Sequence, residues 1–113
     1  MATTIKTKQH DTKIIFTDTP TINDVVQTFA SFSGATCKFL MKDKAGIVAP
    51  VAQTATISND GSGNAVFTYQ PIAGDVANTG TFQQEWEVTY PGAKILTFPN
   101  DTYNIVKILA DLG

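Results

Sequence analysis

The sequence predicts an all-β protein, an immunoglobulin-like β-sandwich of about seven to nine short strands in two antiparallel sheets. Thr, Val, Ile and aromatic residues are abundant, whereas patterns with helical spacing are weak. Gly, Pro, Asn and Asp recur as turn signals about every 8 to 12 residues, which is the spacing of a sandwich built from short strands. The chain of 113 residues has the length of one domain, so we expect residues 1–113 to form a single sandwich.

The clearest strand lies at residues 80–90 and is followed by a turn at Pro91-Gly92. Apolar and polar residues alternate through it, as they do in a strand with one buried face. One side carries Phe82, Gln84, Trp86, Val88 and Tyr90, with Gln84 as its polar member, and the other carries Gln83, Glu85, Glu87 and Thr89. We expect Trp86 to anchor the core between the two sheets, in preference to an exposed sugar-stacking role.

Shorter strands are predicted along the rest of the chain. They are residues 5–8 and 13–17 (one strand broken around 9–11), 35–42 (a central strand that ends in a turn at 43–46), 51–58, 64–70, 94–98 and 103–109. The glycine-rich segment between 58 and 64 predicts a hairpin, and a helical turn is expected near residues 74–77. Residues 22–32 are compatible with a helical turn capped by Asn23 or Asp24, or with a strand.

Charge and composition argue against several classes of partner. The formal net charge is −2, arginine is absent, and the lysines are scattered along the sequence. Because bidentate recognition of phosphates and guanine depends on arginine, we expect no nucleic-acid partner. No basic cluster predicts contact with a membrane surface, and no apolar run approaches the roughly 20 residues of a membrane-spanning helix. Residues 1–13 lack the apolar stretch of a signal peptide, so we expect synthesis in a cytoplasm.

No group of residues predicts catalysis, a cofactor site or a metal site. Cys37 alternates with apolar neighbours and is expected to be a small buried side chain. The lone histidine, His10, is expected in an exposed loop, without the partners that a catalytic triad requires. Asp101 with Glu85 or Glu87 could form a carboxylate pair for glycoside hydrolysis, but both glutamates lie on the polar side of a strand.

The segment around Asp60, NDGSGN, resembles part of a calcium-binding loop. It offers three local side-chain ligands, whereas a calcium ion takes 6–8 oxygen ligands. A hairpin turn is therefore the favoured interpretation.

A set of short motifs is spread over residues 32–46 and 55–108. They are Gly34-Ala35-Thr36, Tyr69, Gly74-Asp75, Gly80, Phe82, Glu85, Glu87-Val88-Thr89-Tyr90, and Thr97-Phe98-Pro99-Asn100-Asp101 with Tyr103. In this combination the chain resembles the N-terminal domain of phage baseplate upper proteins, an immunoglobulin-like module, over roughly residues 5–109. Phe82 stands where that family usually has tyrosine, and Thr102 stands where it often has glycine.

The resemblance implies a non-enzymatic structural component of a tailed-phage virion. Such a component would belong to the tail, baseplate or neck. It would dock onto another phage structural protein through a sheet edge or loop face, and it could also self-associate. Its location would be the virion, and the host cytoplasm during assembly or when encoded in a prophage. Two alternatives stay open: a capsid decoration protein, and an adhesion module that binds host carbohydrate. The adhesion module requires exposed rings, for which the candidates are Phe67, Tyr69, Tyr90 and Tyr103.

Overall fold

The computed structural model describes residues 3–43, 51–99 and 102–112, and these residues form an all-β protein, as predicted. The strands are β1 (Thr4–Lys8), β2 (Phe16–Asp18), β3 (Thr21–Ile22), β4 (Val25–Val26), β5 (Thr36–Asp43), β6 (Val51–Asn59), β7 (Ala65–Tyr69), β8 (Gly80–Tyr90), β9 (Lys94–Phe98) and β10 (Asn104–Leu109). Two short 3-10 helices, Phe29–Phe32 and Ala73–Val76, complete the described residues. The second of these overlaps the helical turn expected near residues 74–77.

The large sheet has the strand order β1-β10-β8-β5-β6-β7-β2, and β9 also pairs with β8. It nearly closes into a barrel, while β3 and β4 form a separate two-stranded hairpin. β6 links the two halves of the large sheet: its residues 51–55 pair with β5 and its residues 56–59 pair with β7. The sheet therefore turns over along β6.

Aromatic side chains fill the space between the two halves of the large sheet. Phe16 on β2 stacks on Phe39 of β5, with ring centroids 5.1 Å apart. Trp86 on β8 meets Phe39 edge-on at 5.2 Å and Phe67 of β7 at 5.6 Å. Trp86 is completely buried, which confirms it as the core anchor.

The alternation predicted for β8 is confirmed. The side of β8 that contains Trp86 is buried from Phe82 to Val88, and Tyr90 at its end is half-buried. The opposite side, which carries both glutamates, is partly exposed. The predicted hairpin is also confirmed, because β6 and β7 pair antiparallel on either side of residues 60–64. Residues 44–46 of the turn predicted at 43–46 lie outside the described residues.

The prediction of one interrupted strand at residues 5–8 and 13–17 is wrong. β1 pairs parallel with β10, whereas β2 pairs antiparallel with β7 in the other half of the sheet. The chain leaves β1 through His10, which has a φ of 66° and donates its backbone N–H to the Val76 carbonyl at 3.0 Å. The expectation of purely antiparallel sheets is wrong for the same reason, since the β1–β10 pair is parallel.

Residues 22–32 combine two structures that the sequence pattern did not separate. β3 and β4 form a tight hairpin whose turn residues, Asn23 and Asp24, have φ values of 50° and 65°. Positive φ at both central positions is the geometry of a type I′ turn, which asparagine and aspartate tolerate. Neither residue caps a helix, and the first 3-10 helix follows only at Phe29–Phe32.

Candidate interaction surfaces

The two glutamates considered for hydrolysis lie on the outer surface of the large sheet. Glu85 and Glu87 of β8 are in register with Leu40 and Lys38 of β5, and Asp101 lies outside the described residues. Within residues 3–43, 51–99 and 102–112, no group of three or more His, Cys, Asp or Glu side chains could hold a metal ion.

His10 is exposed, as expected. Its side-chain exposure is 57%, and its Nδ1 atom lies 3.3 Å from a carboxylate oxygen of Asp111. This contact ties the break after β1 to the segment that follows β10. His10 therefore takes part in a surface contact between the segments that follow two neighbouring strands, β1 and β10.

The loop around Asp60 is a turn capped by its own side chains, in agreement with the hairpin interpretation. The Asn59 Oδ1 atom accepts the backbone N–H groups of Gly61 and Gly63 at 2.9 and 3.1 Å. The Asp60 Oδ1 atom accepts those of Ser62 and Asn64 at 2.7 and 3.2 Å. One side-chain oxygen of Asn59 and one of Asp60 thus stabilise the turn.

Cys37 is buried, as predicted, with 2% of its surface exposed. Burial disfavours the thiolate and raises the pKa of the Cys37 thiol to about 12. A thiol with so high a pKa is protonated at neutral pH and is a poor nucleophile.

The four rings proposed as a sugar-binding platform do not form one. Phe67 and Tyr69 are buried, and Tyr90 is half-buried against Phe32 at a ring distance of 5.8 Å. Tyr103 is 41% exposed. One exposed ring of the four leaves the carbohydrate-binding alternative without the stacking surface it requires.

A buried hydrogen-bond network joins three strands of the core. The Asn104 amide donates to Asp18 Oδ2 at 2.9 Å and to Gln84 Oε1 at 2.8 Å, and its oxygen accepts the Thr3 backbone N–H at 2.9 Å. The Trp86 indole donates to the same Asp18 oxygen at 3.2 Å. The network fixes β2 against β8 and β10. In the sequence, this network is indicated only by Gln84, a polar residue on the apolar side of β8.

A second polar contact was not predicted. The Tyr69 hydroxyl donates to Asp75 Oδ2 at 2.5 Å, and the Ile72 backbone N–H donates to the same oxygen at 3.0 Å. Burial raises the pKa of the Tyr69 hydroxyl, and its hydrogen bond to Asp75 adds to the shift. The contact anchors the second 3-10 helix to the end of β7.

Five lysines project from the outer surface of the large sheet, which we call the lysine face. They are Lys6 and Lys8 of β1, Lys107 of β10, and Lys38 and Lys42 of β5, and all five are exposed. Lys6 and Lys107 lie directly opposite each other in the parallel pair. Lys6, Lys8 and Lys107 form no ion pair with any described residue.

The lysines are scattered along the sequence, but the fold brings five of them onto one surface. The lysine face carries five lysines and two glutamates, Glu85 and Glu87, and so has a formal charge of +3. Because the whole chain has a formal charge of −2, all its other residues together carry −5. The lysine face is therefore positive, although the net charge of the chain is negative.

Exposed apolar side chains cluster at the β3–β4 hairpin and the first 3-10 helix. Val25, Val26 and Phe29 are 63%, 42% and 40% exposed, and we call these three residues with Asp24 the apolar tip. The Phe29 backbone N–H donates to the Gly63 carbonyl at 2.9 Å, which places the tip beside the acidic turn at Asp60. Asp24 is the one charged residue in the segment 19–35.

β9 has an open edge among the described residues. β9 and β10 both pair with the side of β8 that faces away from β5, one after the other along its length. β1 covers the outer edge of β10, whereas β9 pairs with β8 alone within the described strands. Ile95 of β9 is 60% exposed. An uncovered edge with exposed apolar residues is a site to which another chain can add a strand.

Comparison with protein-family models, with curated proteins and with solved structures found no match. Within the part of the chain that the structure describes, no helix combines the length and apolar character needed to cross a bilayer.

Proposed function

We propose that this chain is a non-enzymatic structural component of a tailed-phage virion, located in the tail, baseplate or neck, that docks onto another virion protein. The observation that carries the proposal is the Tyr69–Asp75 hydrogen bond. Both residues belong to the motif set of the phage baseplate upper protein family. They lie six residues apart, and their bond holds the second 3-10 helix against the end of β7, so the contact supports the resemblance in this corner of the fold.

Other motif residues also occupy positions that the backbone requires. Gly34 has a φ of 75° and opens the chain into β5. Phe98 and Pro99 are buried where β9 ends. Motif residues with such structural roles are expected in a protein that acts as a rigid component of an assembly.

Within this proposal the fold is an immunoglobulin-like sandwich. The pairings β2–β7–β6 and β5–β8–β10 reproduce the B-E-D and C-F-G strand orders of the immunoglobulin fold, with the strands in matching chain order. The pairing of β6 with β5 departs from a simple sandwich because it joins the two sheets.

The open edge of β9 is the docking route that we propose. Strand addition uses backbone hydrogen bonds for affinity and alternate side chains for specificity. Ile95, exposed beside that edge, would contact the added strand. Such a contact requires no catalytic group and no cofactor.

The test is incorporation into phage particles. Particles assembled with the tagged protein are purified, and the protein is located on them by immunogold electron microscopy. We expect it on the tail, baseplate or neck, and we expect Ile95→Lys to reduce its incorporation because edge lysines oppose strand addition. Ile72→Lys, at a site with 63% exposure away from β9, is the matched control.

Two outcomes would contradict the virion role, and a third would contradict the docking route. Absence of the wild-type protein from purified particles, together with retention on a host-polysaccharide column, would favour the adhesion alternative. Labelling of the capsid in place of the tail would favour the capsid decoration alternative. Equal incorporation of both lysine variants would reject β9 as the docking edge.

A further inference from the structure

We propose that the apolar tip of one copy docks onto the lysine face of a second copy. The inference deepens the proposed virion role by naming a second copy as a partner, and it uses surfaces other than the open edge of β9. It rests on the charge distribution and on two exposed features of complementary character.

Charge complementarity is the first argument. The lysine face carries a formal charge of +3, whereas the rest of the chain carries −5. The apolar tip lies in the negative part: Asp24 belongs to it, and the acidic turn at Asp60 is adjacent. Two copies in head-to-tail contact bring opposite charges together, whereas two lysine faces repel each other.

A matching apolar surface is the second argument. The lysine face contains a depression of ≈ 230 Å³ beside Leu40, whose lining includes Val51 and Ala52. On β5, Lys38 and Lys42 flank Leu40. Val25 is the most exposed apolar side chain of the tip, at 63%, and provides the apolar group that would fill such a depression.

The charges next to the depression cancel. Lys38 and Lys42 would attract Asp24, whereas Glu85 and Glu87, which face Leu40 and Lys38 across the β5–β8 pair, would repel it. The net attraction comes from the remaining lysines of the face, Lys6, Lys8 and Lys107. The contact would thus have an apolar centre with charged groups around it, an arrangement common in protein interfaces.

The geometry of such a contact determines the kind of assembly. The tip and the lysine face are different surfaces, so the contact is heterologous and leaves one tip and one face free in every pair. Repeated contacts close into a ring or continue as a filament. A ring of copies is compatible with the symmetric particle in which we place the protein.

The experiment measures mass in solution by sedimentation equilibrium over a range of protein concentrations. At low salt the wild-type mass should rise with concentration above the 12.1 kDa of the monomer. High salt should suppress the rise, because the screening length falls from about 30 Å at 0.01 M to about 3 Å at 1 M. A wild-type protein that is monomeric throughout overturns the proposal.

Two variants and two matched controls locate the contact. Val25→Lys alters the tip, and the double variant Lys38→Glu/Lys42→Glu alters the face. Both should be monomeric, while Ile15→Lys and Lys13→Glu/Lys94→Glu should associate like the wild type. The control sites are exposed, lie outside both surfaces and carry the same changes in charge. Loss of association in a control to the same extent as in its test variant overturns the assignment.

Mixing the two monomeric variants separates this contact from a symmetric one. The intact tip of the double variant can dock onto the intact face of Val25→Lys, so the mixture should form pairs of about twice the monomer mass. A mixture that stays monomeric, although both variants unfold like the wild type, rejects tip-to-face docking.

The inference and the virion role fail in distinguishable ways. Self-association is measured on the purified protein, whereas the virion role is measured by labelling particles. A wild-type protein that is monomeric alone and binds anionic vesicles or single-stranded RNA at low salt would reject a second copy as the partner of the lysine face. That result would not affect the virion role, which is tested by incorporation into particles.

Discussion

Asn104 is the residue on which the polar contacts of the core depend. Its side chain is 1% exposed and uses both ends of its amide, joining Thr3, Asp18 and Gln84. Within the described residues, no buried side-chain nitrogen or oxygen lacks a hydrogen-bond partner. The network is therefore complete, and removal of one member leaves others unpaired.

Replacement of Asn104 by leucine should destabilise the protein strongly. The buried Gln84 oxygen would lose its partner, and the Asp18 carboxylate would lose one of its two donors. Each unpaired buried group costs about 1–3 kcal/mol. We expect the free energy of unfolding in urea to fall by at least about 2 kcal/mol. Gln53→Leu, at an exposed site on β6, should change it little. A loss no larger than that of Gln53→Leu would show that the network contributes no net stability.

Burial of the Cys37 thiol should make the protein less stable at alkaline pH. Its pKa is 9.0 as a free thiol and about 12 in the fold, so the unfolded chain loses this proton first as pH rises. Stability conferred by the neutral thiol is complete below pH 9 and is lost between pH 9 and pH 12. One such proton contributes a slope of up to about 1.4 kcal/mol per pH unit.

The measurement is the free energy of unfolding of the wild type and Cys37→Ala at pH 7, 9 and 10. The alanine variant should be less stable at pH 7, because it leaves a small cavity, and its stability should fall less steeply above pH 9. Because Tyr69 and Tyr90 also have raised pKa values, some alkaline dependence should persist in the variant. Parallel curves for the two proteins would contradict the assignment to Cys37.

The burial of individual side chains could be predicted from the sequence, whereas their hydrogen-bond partners could not. Trp86 and Cys37 could be assigned to the core because alternation determines which side of a strand is buried. Alternation does not reveal which polar atoms meet across the core. The Asn104 contacts span 20, 86 and 101 residues of sequence, so no local pattern contains them.

Among the elements, the turn that opens β5 depends on Gly34. Its φ is 75°, and a Cβ atom built there would lie 3.1 Å from Pro91 Cγ, in the turn between β8 and β9. The glycine thus brings two turns close together in a conformation that other residues adopt at a cost. This close approach accounts for the glycine in the Gly34-Ala35-Thr36 motif.

Gly34→Ala should therefore lower the free energy of unfolding by about 1–2 kcal/mol from the backbone conformation alone. The close contact with Pro91 should add to the loss. Gly74→Ala is the matched control, since a Cβ atom at Gly74 meets nothing within 4 Å. The two variants are compared by thermal and urea unfolding. Equal stability would mean that the turn at Gly34 relaxes without cost.

Strand positions were predictable because the period of two is strong in β5, β8 and β10, whose burial patterns alternate throughout. Strand partners were harder to predict, because pairing depends on how the chain returns to a neighbouring strand. The separation of β1 from β2 illustrates this: the break at residues 9–11 was visible, but the change of partner that it allows was not. The hairpin at Asn23-Asp24 was missed because each of its strands has only two residues.

At the scale of the whole molecule, the positive lysine face is a product of the topology. Lys6 and Lys107 are 101 positions apart in the sequence but are direct neighbours in the sheet. Each lysine alternates with inward-facing residues on its own strand, so the sequence could assign each one to an outer side. It could not show that the outer sides of β1, β5 and β10 form one surface.

The parallel β1–β10 pair also has a mechanical consequence. Thr4 lies beside Ile105 and Lys8 beside Leu109, so the chain enters this pair at one end and leaves it at the other. A pulling force applied to the two termini would act along the strands, across hydrogen bonds that lie roughly perpendicular to it. The force would then load all the hydrogen bonds of this pair in shear at the same time, so they could not break one after another. Under tension between its ends, the domain should therefore resist extension through its first and last strands.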